Sequence, residues 1–309
     1  MYNSDLNYQA VIGEMRNAML EKHAQLREQI DYFCRKGNLT YLQGTGKMIT
    51  KNIVQIDTND GNTLEYFAEN IGLAVGSRPR KLPTLPIDGK KVIGYREAMV
   101  LPTQPKSMII VGSGAIGVEF AYFYNNMGTK VTIVEFMPRI VPVEDEDISK
   151  ELEKSYKKKG IDIMTNASVE KVDTSGNGVK ATVKTATGDI VLEADVLLSA
   201  VGVVANIENI GLETLNITQD KGKVIVDKFG KTNLDGVYAI GDLTPGQALA
   251  HVASKEAIIC VENFAHKEGK YKHQPEPIDY GNVPGCTYCS PEIASVGMTE
   301  KQAKEAVMN

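Results

Sequence analysis

The run IIVGSGAIGVEFAYFYNNMGTKVTIVE, from Ile109 to Glu135, constrains the fold of this 309-residue chain more than any other stretch. Met108 to Val111 is a short apolar run of strand type, and Gly112-Ser113-Gly114-Ala115-Ile116-Gly117 follows at once. Apolar side chains at Ile116, Phe120, Phe123 and Tyr124 predict a helix that stops at Asn126-Met127-Gly128. A second strand, Val131 to Val134, ends on Glu135. In such a unit the first glycine permits the tight turn and the second lets the backbone approach a pyrophosphate. The third lets the helix pack closely on the strand, with the helix N-terminus facing the anion. The glycine spacing alone is weak. The strand before it, the helix it opens and the acid closing the next strand supply the context it needs. A carboxylate at Glu135 accepts a hydrogen bond from a ribose hydroxyl and repels a 2′-phosphate, so NAD is expected rather than NADP.

Composition fits a chain with real cores: 42% of the residues are hydrophobic, enough for two domains at this length. A net charge of −5 gives no electrostatic case for nucleic acid or an anionic membrane. No apolar run approaches transmembrane length, and the start MYNSDLNYQ has no signal pattern, so a cytoplasmic location is expected. Four cysteines, Cys34, Cys260, Cys286 and Cys289, are too few and too scattered for a disulfide scaffold. Cys286 and Cys289 form a CxxC, which can mean a redox pair or half a zinc site. No second pair lies at zinc spacing, and His266 and His273 stand outside any HxxxH arrangement, so no metal site is expected. A redox CxxC normally opens a helix, whereas this one reads as part of a strand, with its side chains on opposite faces.

Around the central unit the pattern is mosaic. From residue 5 to about 36, Met15, Met19, Leu26, Ile30 and Phe33 recur at helical spacing and predict one packed helix face. Strands are expected in LTYLQGTGKM and KNIVQI, with a hairpin turn at Asn59-Asp60-Gly61-Asn62. A proline-rich connector, with Pro79, Pro83, Pro86, Pro102 and Pro105, then leads into the nucleotide unit. After Glu135 a charged helix is predicted over 149–159, with strands near 161–164 and 167–172 and a hairpin across Ser175-Gly176-Asn177-Gly178. A buried strand follows at 194–201, and more strands lie between Lys223 and Ala239.

The fingerprint, together with EFMPRIVPVEDEDIS, TNLDGVYAIGD, LAHVASKEA and YCSPEIASVGMTEKQAKEA, resembles the flavoprotein disulfide reductases, and within them the dihydrolipoyl dehydrogenase branch. The resemblance implies an α/β fold of FAD- and NAD-binding Rossmann-like domains: three layers, with a parallel sheet and a β-meander, followed by the start of an α+β interface domain. The implied boundaries are 1–104 for part of the FAD domain, 105–226 for the NAD domain, 227–275 for the return of the FAD domain and 276–309 for the interface domain. The implied NAD contacts are Gly112, Gly114, Ala115, Ile116, Gly117, Glu119, Glu135, Val169 and Gly202. Glu119 matches a glutamate beside the nicotinamide. The implied FAD contacts are Gly46, Ala74, Gly76, Asp242 on the ribityl chain and the Ala250 amide near the flavin ring. His251 is expected to be structural.

Two departures from the family pattern stand out. The family's Ala-Thr-Gly reads Ala74-Val75-Gly76, and its Gly-Arg-x-Pro-Asn reads Gly202-Val203-Val204-Ala205-Asn206, which would reshape the nicotinamide entrance. The family's chemistry moves electrons between dihydrolipoamide on a lipoyl domain, a CxxxxC disulfide, FAD and NAD, in a homodimer. This sequence contains no CxxxxC, one GxGxxG where the family has two, and no His-Pro catalytic segment. The expectation is therefore a central fragment, inactive alone, with NAD as its ligand and FAD held weakly or not at all. NADH oxidase, mercuric reductase, glutathione reductase and a non-catalytic NAD-binding module are the alternatives.

Overall fold

The computed structural model describes residues 7–308, so residues 5 and 6 of the expected first helix lie outside it. The chain divides into two compact units, one formed by residues 1–27, 79–202 and 284–309 and the other by 28–78 and 203–283.

The first unit is built on a five-stranded sheet in the order Val92–Ile93, Val196–Ser199, Ser107–Val111, Lys130–Val134, Asp162–Met164. Every neighbouring pair in it is parallel. Successive side chains of a strand face opposite ways, and here each face has its own cover. Met108, Ile110, Ile133 and Leu198 pack on one side against Val118, Ala121 and Tyr124 of the helix Ala115–Asn126 and against Leu152 and Tyr156 of the helix Glu146–Lys158. On the other side Ile109, Val111 and Leu197 pack against Val169, Val179, Ala181 and Val183. Those last residues belong to an antiparallel meander of strands Ser168–Asp173, Val179–Thr185 and Gly188–Ala194. The result is the three-layer α/β arrangement expected, and burial on both faces explains why the sheet strands read as continuous apolar runs.

The second unit holds a three-stranded antiparallel sheet, Gly44–Thr50, Ile53–Thr58 and Thr63–Phe67. It also has a parallel pair, Ile71–Leu73 with Val237–Ala239. Met48, Ile71, Leu73, Leu212, Val224, Val237 and Leu243 form its core.

Several expectations needed correction. The proline-rich connector is not only a connector: Val92–Ile93 within it forms an edge strand of the parallel sheet, fully buried at both residues. Leu39 to Gln43 lies outside the strand Gly44–Thr50. The first helix, Tyr8–Arg35, buries only Tyr8 and Ile12, and Met15 packs against the same core. Further along the expected packed stripe Met19 is 48% exposed, Leu26 60% and Phe33 49%, while Ile30 is half-buried. Spacing predicted the helix correctly, but spacing does not report how far a partner surface extends. The CxxC strand is also shorter than expected: Gly285–Thr287 holds Cys286, and Cys289 sits in the bend beyond.

Candidate functional site

The turn after Ser107–Val111 shows what each fingerprint glycine does. Gly112 has φ +98°, and a Cβ there would lie 2.5 Å from the Ala200 carbonyl oxygen of the adjacent strand crossing. A Cβ at Gly117 would overlap the carbonyl oxygen of Gly112. Both positions are closed to any side chain by backbone, which is how the helix comes to pack so closely on its strand. Gly114 differs, because nothing lies within 4 Å of where its Cβ would be. It serves as N-cap of Ala115–Asn126, with extended backbone and no capping side chain. The first amides of a helix have no intrahelical acceptor, so those at Ala115, Ile116 and Gly117 remain available to an anion over this open face. The turn therefore fits a pyrophosphate.

Glu135 continues from Lys130–Val134, its amide donating to the Met164 carbonyl at 2.8 Å. It is buried, at 7% exposure, and its carboxylate is held in place. Ser113 donates to Oε2 through its amide at 2.7 Å and its hydroxyl at 2.6 Å. The Met137 amide donates to Oε1 at 2.7 Å. The acid thus sits against the glycine turn, where the sequence placed the ribose contact.

The remaining expected NAD contacts are more dispersed. Glu119, half-buried on the fingerprint helix, accepts from the Tyr288 amide at 2.8 Å. Gly202, at φ +89°, is exposed beyond the strand Val196–Ser199, and its carbonyl accepts from the Arg80 amide. The Val169 side chain belongs to the core between sheet and meander.

In the second unit, Asp242 lies in the 3-10 turn Gly241–Leu243, and Ser77 donates to its Oδ2 at 2.6 Å. That bond joins the Ala74-Val75-Gly76 turn, with Gly76 at φ +66°, to the Asp242 turn. Lys223 donates to the Asp242 carbonyl, and Glu256 accepts from the Gly241 amide at 2.6 Å. Tyr280 donates to the same Glu256 carboxylate, and burial pushes the Tyr280 hydroxyl well above its ordinary pKa. Ala250 opens the 18-residue helix Ala250–Lys267, which gives its amide the helix N-terminus position expected. Gly46 lies within a regular strand, opposite Ile56. Past Gly202, the run that departs from the family pattern is held by Arg78. Its guanidinium donates to the Ala205 carbonyl, Asn206 Oδ1 and both Glu208 oxygens.

Sequence reasoning missed Ser113, Ser77 and Glu256. Ser113 occupies a variable position of the glycine motif, and only its hydroxyl so near a required acid hinted at a role. Ser77 and Glu256 reach their partners across 165 and 15 residues, which no local pattern reveals.

The cysteines do not form a reactive pair in this structure. Cys286 is exposed and Cys289 buried, and burial pushes the Cys289 thiol up against the opposing effect of a hydrogen bond with Tyr156. Among the described residues no cluster of three or more His, Cys, Asp or Glu side chains is placed to hold a metal ion, and no helix is long and apolar enough to cross a membrane.

Comparison with known proteins agrees with this geometry. Residues 3–257 match the pyridine nucleotide-disulphide oxidoreductase family, and residues 283–309 match the dimerisation domain of the same group. A dihydrolipoyl dehydrogenase of Rhizobium etli is 40% identical over 311 residues, covering 96% of this chain and 63% of the relative. One from Zymomonas mobilis is 37% identical over all of this chain and 64% of the relative. The chain thus spans less than two thirds of the length of these curated relatives. Among solved structures, LpdA from Mycobacterium tuberculosis superposes with a TM-score of 0.81 at 27% identity, over 96% of this chain and 69% of that one. The flavoprotein disulfide reductase RclA from Escherichia coli, in its Cu(II) complex, gives 0.82 at 27% identity, over 97% and 66%. With a nucleotide turn closed by backbone at two glycines and open at the third, this chain belongs to the pyridine nucleotide-disulphide oxidoreductase family.

Proposed function

We propose that this chain is the NAD-binding portion, with part of the flavin-binding portion, of a dihydrolipoyl dehydrogenase. The parent enzyme would reoxidise dihydrolipoamide on a lipoyl domain and reduce NAD, as a homodimer. The observation carrying this reading is the combination of open Gly114 with a fixed, buried Glu135 at the end of the next strand. Ala115, Ile116 and Gly117 would offer amides to the pyrophosphate, and Glu135 would take the adenosine ribose. Glu119, Val169 and Gly202 would border the nicotinamide half. Hydride acceptance is the chemistry NAD itself supplies. In the second unit Asp242, Gly76, Ala74, Gly46 and Ala250 would contribute to FAD, with Asp242 already oriented by Ser77. The sequence contains no second glycine fingerprint for the FAD pyrophosphate, and a helix-terminus phosphate contact normally supplies much of the grip. The domain division proposed is 1–104, 105–226, 227–275 and 276–309.

The purified chain should be nearly colourless, and should not reduce NAD with dihydrolipoamide even when FAD is added. Electrons from a dithiol need a neighbouring disulfide to reach the flavin, and Cys286 and Cys289 stand in different environments. The test compares this chain with a longer polypeptide that adds a CxxxxC segment and an interface histidine. Turnover only in the longer form supports the proposal. Turnover by the chain itself that vanishes on Cys286→Ser and Cys289→Ser would overturn it. NADH binding with no turnover in either form would favour the second reading, a non-catalytic NAD-binding module.

A further inference from the structure

We infer that Ser113 is a positioning residue for Glu135 and, through it, sets the nucleotide selectivity of the pocket; this rests on the NAD reading of the fingerprint turn. The glycine turn requires nothing of a side chain at position 113, yet Ser113 is fully buried and all its polar groups are engaged. Its amide and hydroxyl converge on one carboxylate oxygen, Glu135 Oε2, at 2.7 and 2.6 Å. Its carbonyl accepts from the Val141 amide at 2.9 Å. Val141 is buried and held at φ +39°, a conformation that a β-branched residue adopts only under constraint, so the peptide behind Ser113 is pinned as well.

The arithmetic of acceptor sites follows. An ionised carboxylate offers about four lone-pair sites. The two on Oε2 face the Ser113 donors, and one on Oε1 faces the Met137 amide. One site, on Oε1, is left for a ligand. Glu135 is thereby fixed in orientation before any nucleotide arrives, and offers a single acceptor to one hydroxyl of the adenosine ribose. A fixed carboxylate also cannot turn away from a 2′-phosphate. Removing the Ser113 hydroxyl would leave the carboxylate held by the Ser113 and Met137 amides alone, and so loosen it. NADH would then meet a less firmly aligned acceptor, while NADPH would meet a charge with more freedom to shift, and the selectivity narrows from both sides.

The test is a fluorescence titration of NADH and NADPH against the original chain, Ser113→Ala, Ser113→Gly, Glu135→Ala and the Ser113→Ala/Glu135→Ala double variant. Circular dichroism reports whether each is folded, and Ser113→Gly carries the test if the alanine variant does not fold. The ratio of the two dissociation constants should narrow by about fivefold to tenfold on loss of the hydroxyl, the scale of one charge-assisted hydrogen bond in part transmitted. In the Glu135→Ala background the same change should leave the ratio where it is. A ratio unchanged in the Ser113 variants overturns the inference, and so does narrowing that persists without Glu135. If the original chain prefers NADH and only the variants disagree, the NAD reading stands and this inference alone falls. If the original chain binds no NADH, both fall.

Discussion

The two units carry the two candidate cofactor sites, and the sites are built in opposite ways. The nucleotide turn of the first unit is contiguous: Gly112 to Gly117 and Glu135 lie within 27 residues of Ile109. Its shape is enforced by backbone against backbone, at Gly112 with Ala200 and at Gly117 with Gly112. The Asp242 site of the second unit is assembled from side chains distant in sequence, with Ser77, Lys223 and Glu256 each contributing one hydrogen bond. A site made of backbone tolerates almost no added volume, whereas a site made of side chains can lose one member and keep its fold. That difference can be tested directly.

The largest effect should come from Gly112→Ala. It places a methyl 2.5 Å from a carbonyl oxygen at a left-handed φ, and should cost about 3 kcal/mol of stability by denaturant unfolding. Gly114→Ala, two residues on and in open space, should cost less than about 1 kcal/mol. Equal losses at the two positions would break the picture of a turn closed at one glycine and open at the other.

Next comes Glu135→Ala. Losing a buried charge-assisted hydrogen bond should weaken NADH binding by about 1.5–3 kcal/mol, and the preference over NADPH should shrink with it. Calorimetry of the variant against both nucleotides checks this. An unchanged preference would detach Glu135 from selectivity.

In the second unit, Ser77→Ala removes a side-chain donor to Asp242 Oδ2 and should cost about 1 kcal/mol without loss of fold, as read by denaturant unfolding. A loss as large as that of Gly112→Ala would erase the contrast between the two sites.

How much of this was legible in the sequence follows the same division. The fingerprint helix Ala115–Asn126, the strands flanking it and the acid at position 135 were readable, because local periodicity and glycine geometry act over a few residues. The strand Val92–Ile93 was not, since two residues among prolines carry no period and their place in the sheet is set by Leu197 and Leu198. The exposed stretch of the first helix was misread for a related reason: spacing at Met19, Leu26 and Phe33 defines a face but not its partner. Of the candidate sites, the nucleotide turn was visible residue by residue. Asp242 and Ala250 came only through family resemblance, and their hydrogen-bonded supports did not come at all.

The smallest effect concerns the thiols. Burial pushes Cys260 up to about 11, so at pH 8 about one molecule in a thousand carries the thiolate there. Cys289 is buried and raised in the same direction, while Cys286 is exposed. Alkylation at pH 8 followed by mass spectrometry should label the exposed Cys286 ahead of the buried Cys260 and Cys289. Raising the pH toward 11 should accelerate Cys260, because the reactive form grows as the thiol deprotonates. Equal labelling of Cys286 and Cys289 at pH 8 would show that the two share an environment after all.

The central claim is that the first unit holds a self-sufficient NAD site. Its most direct test is a calorimetric titration of the unaltered chain with NADH and, separately, with NADPH, at one salt concentration and without flavin. The account predicts saturable one-to-one binding of NADH, at least about tenfold tighter than NADPH. NADPH binding as tight as NADH or tighter would contradict it.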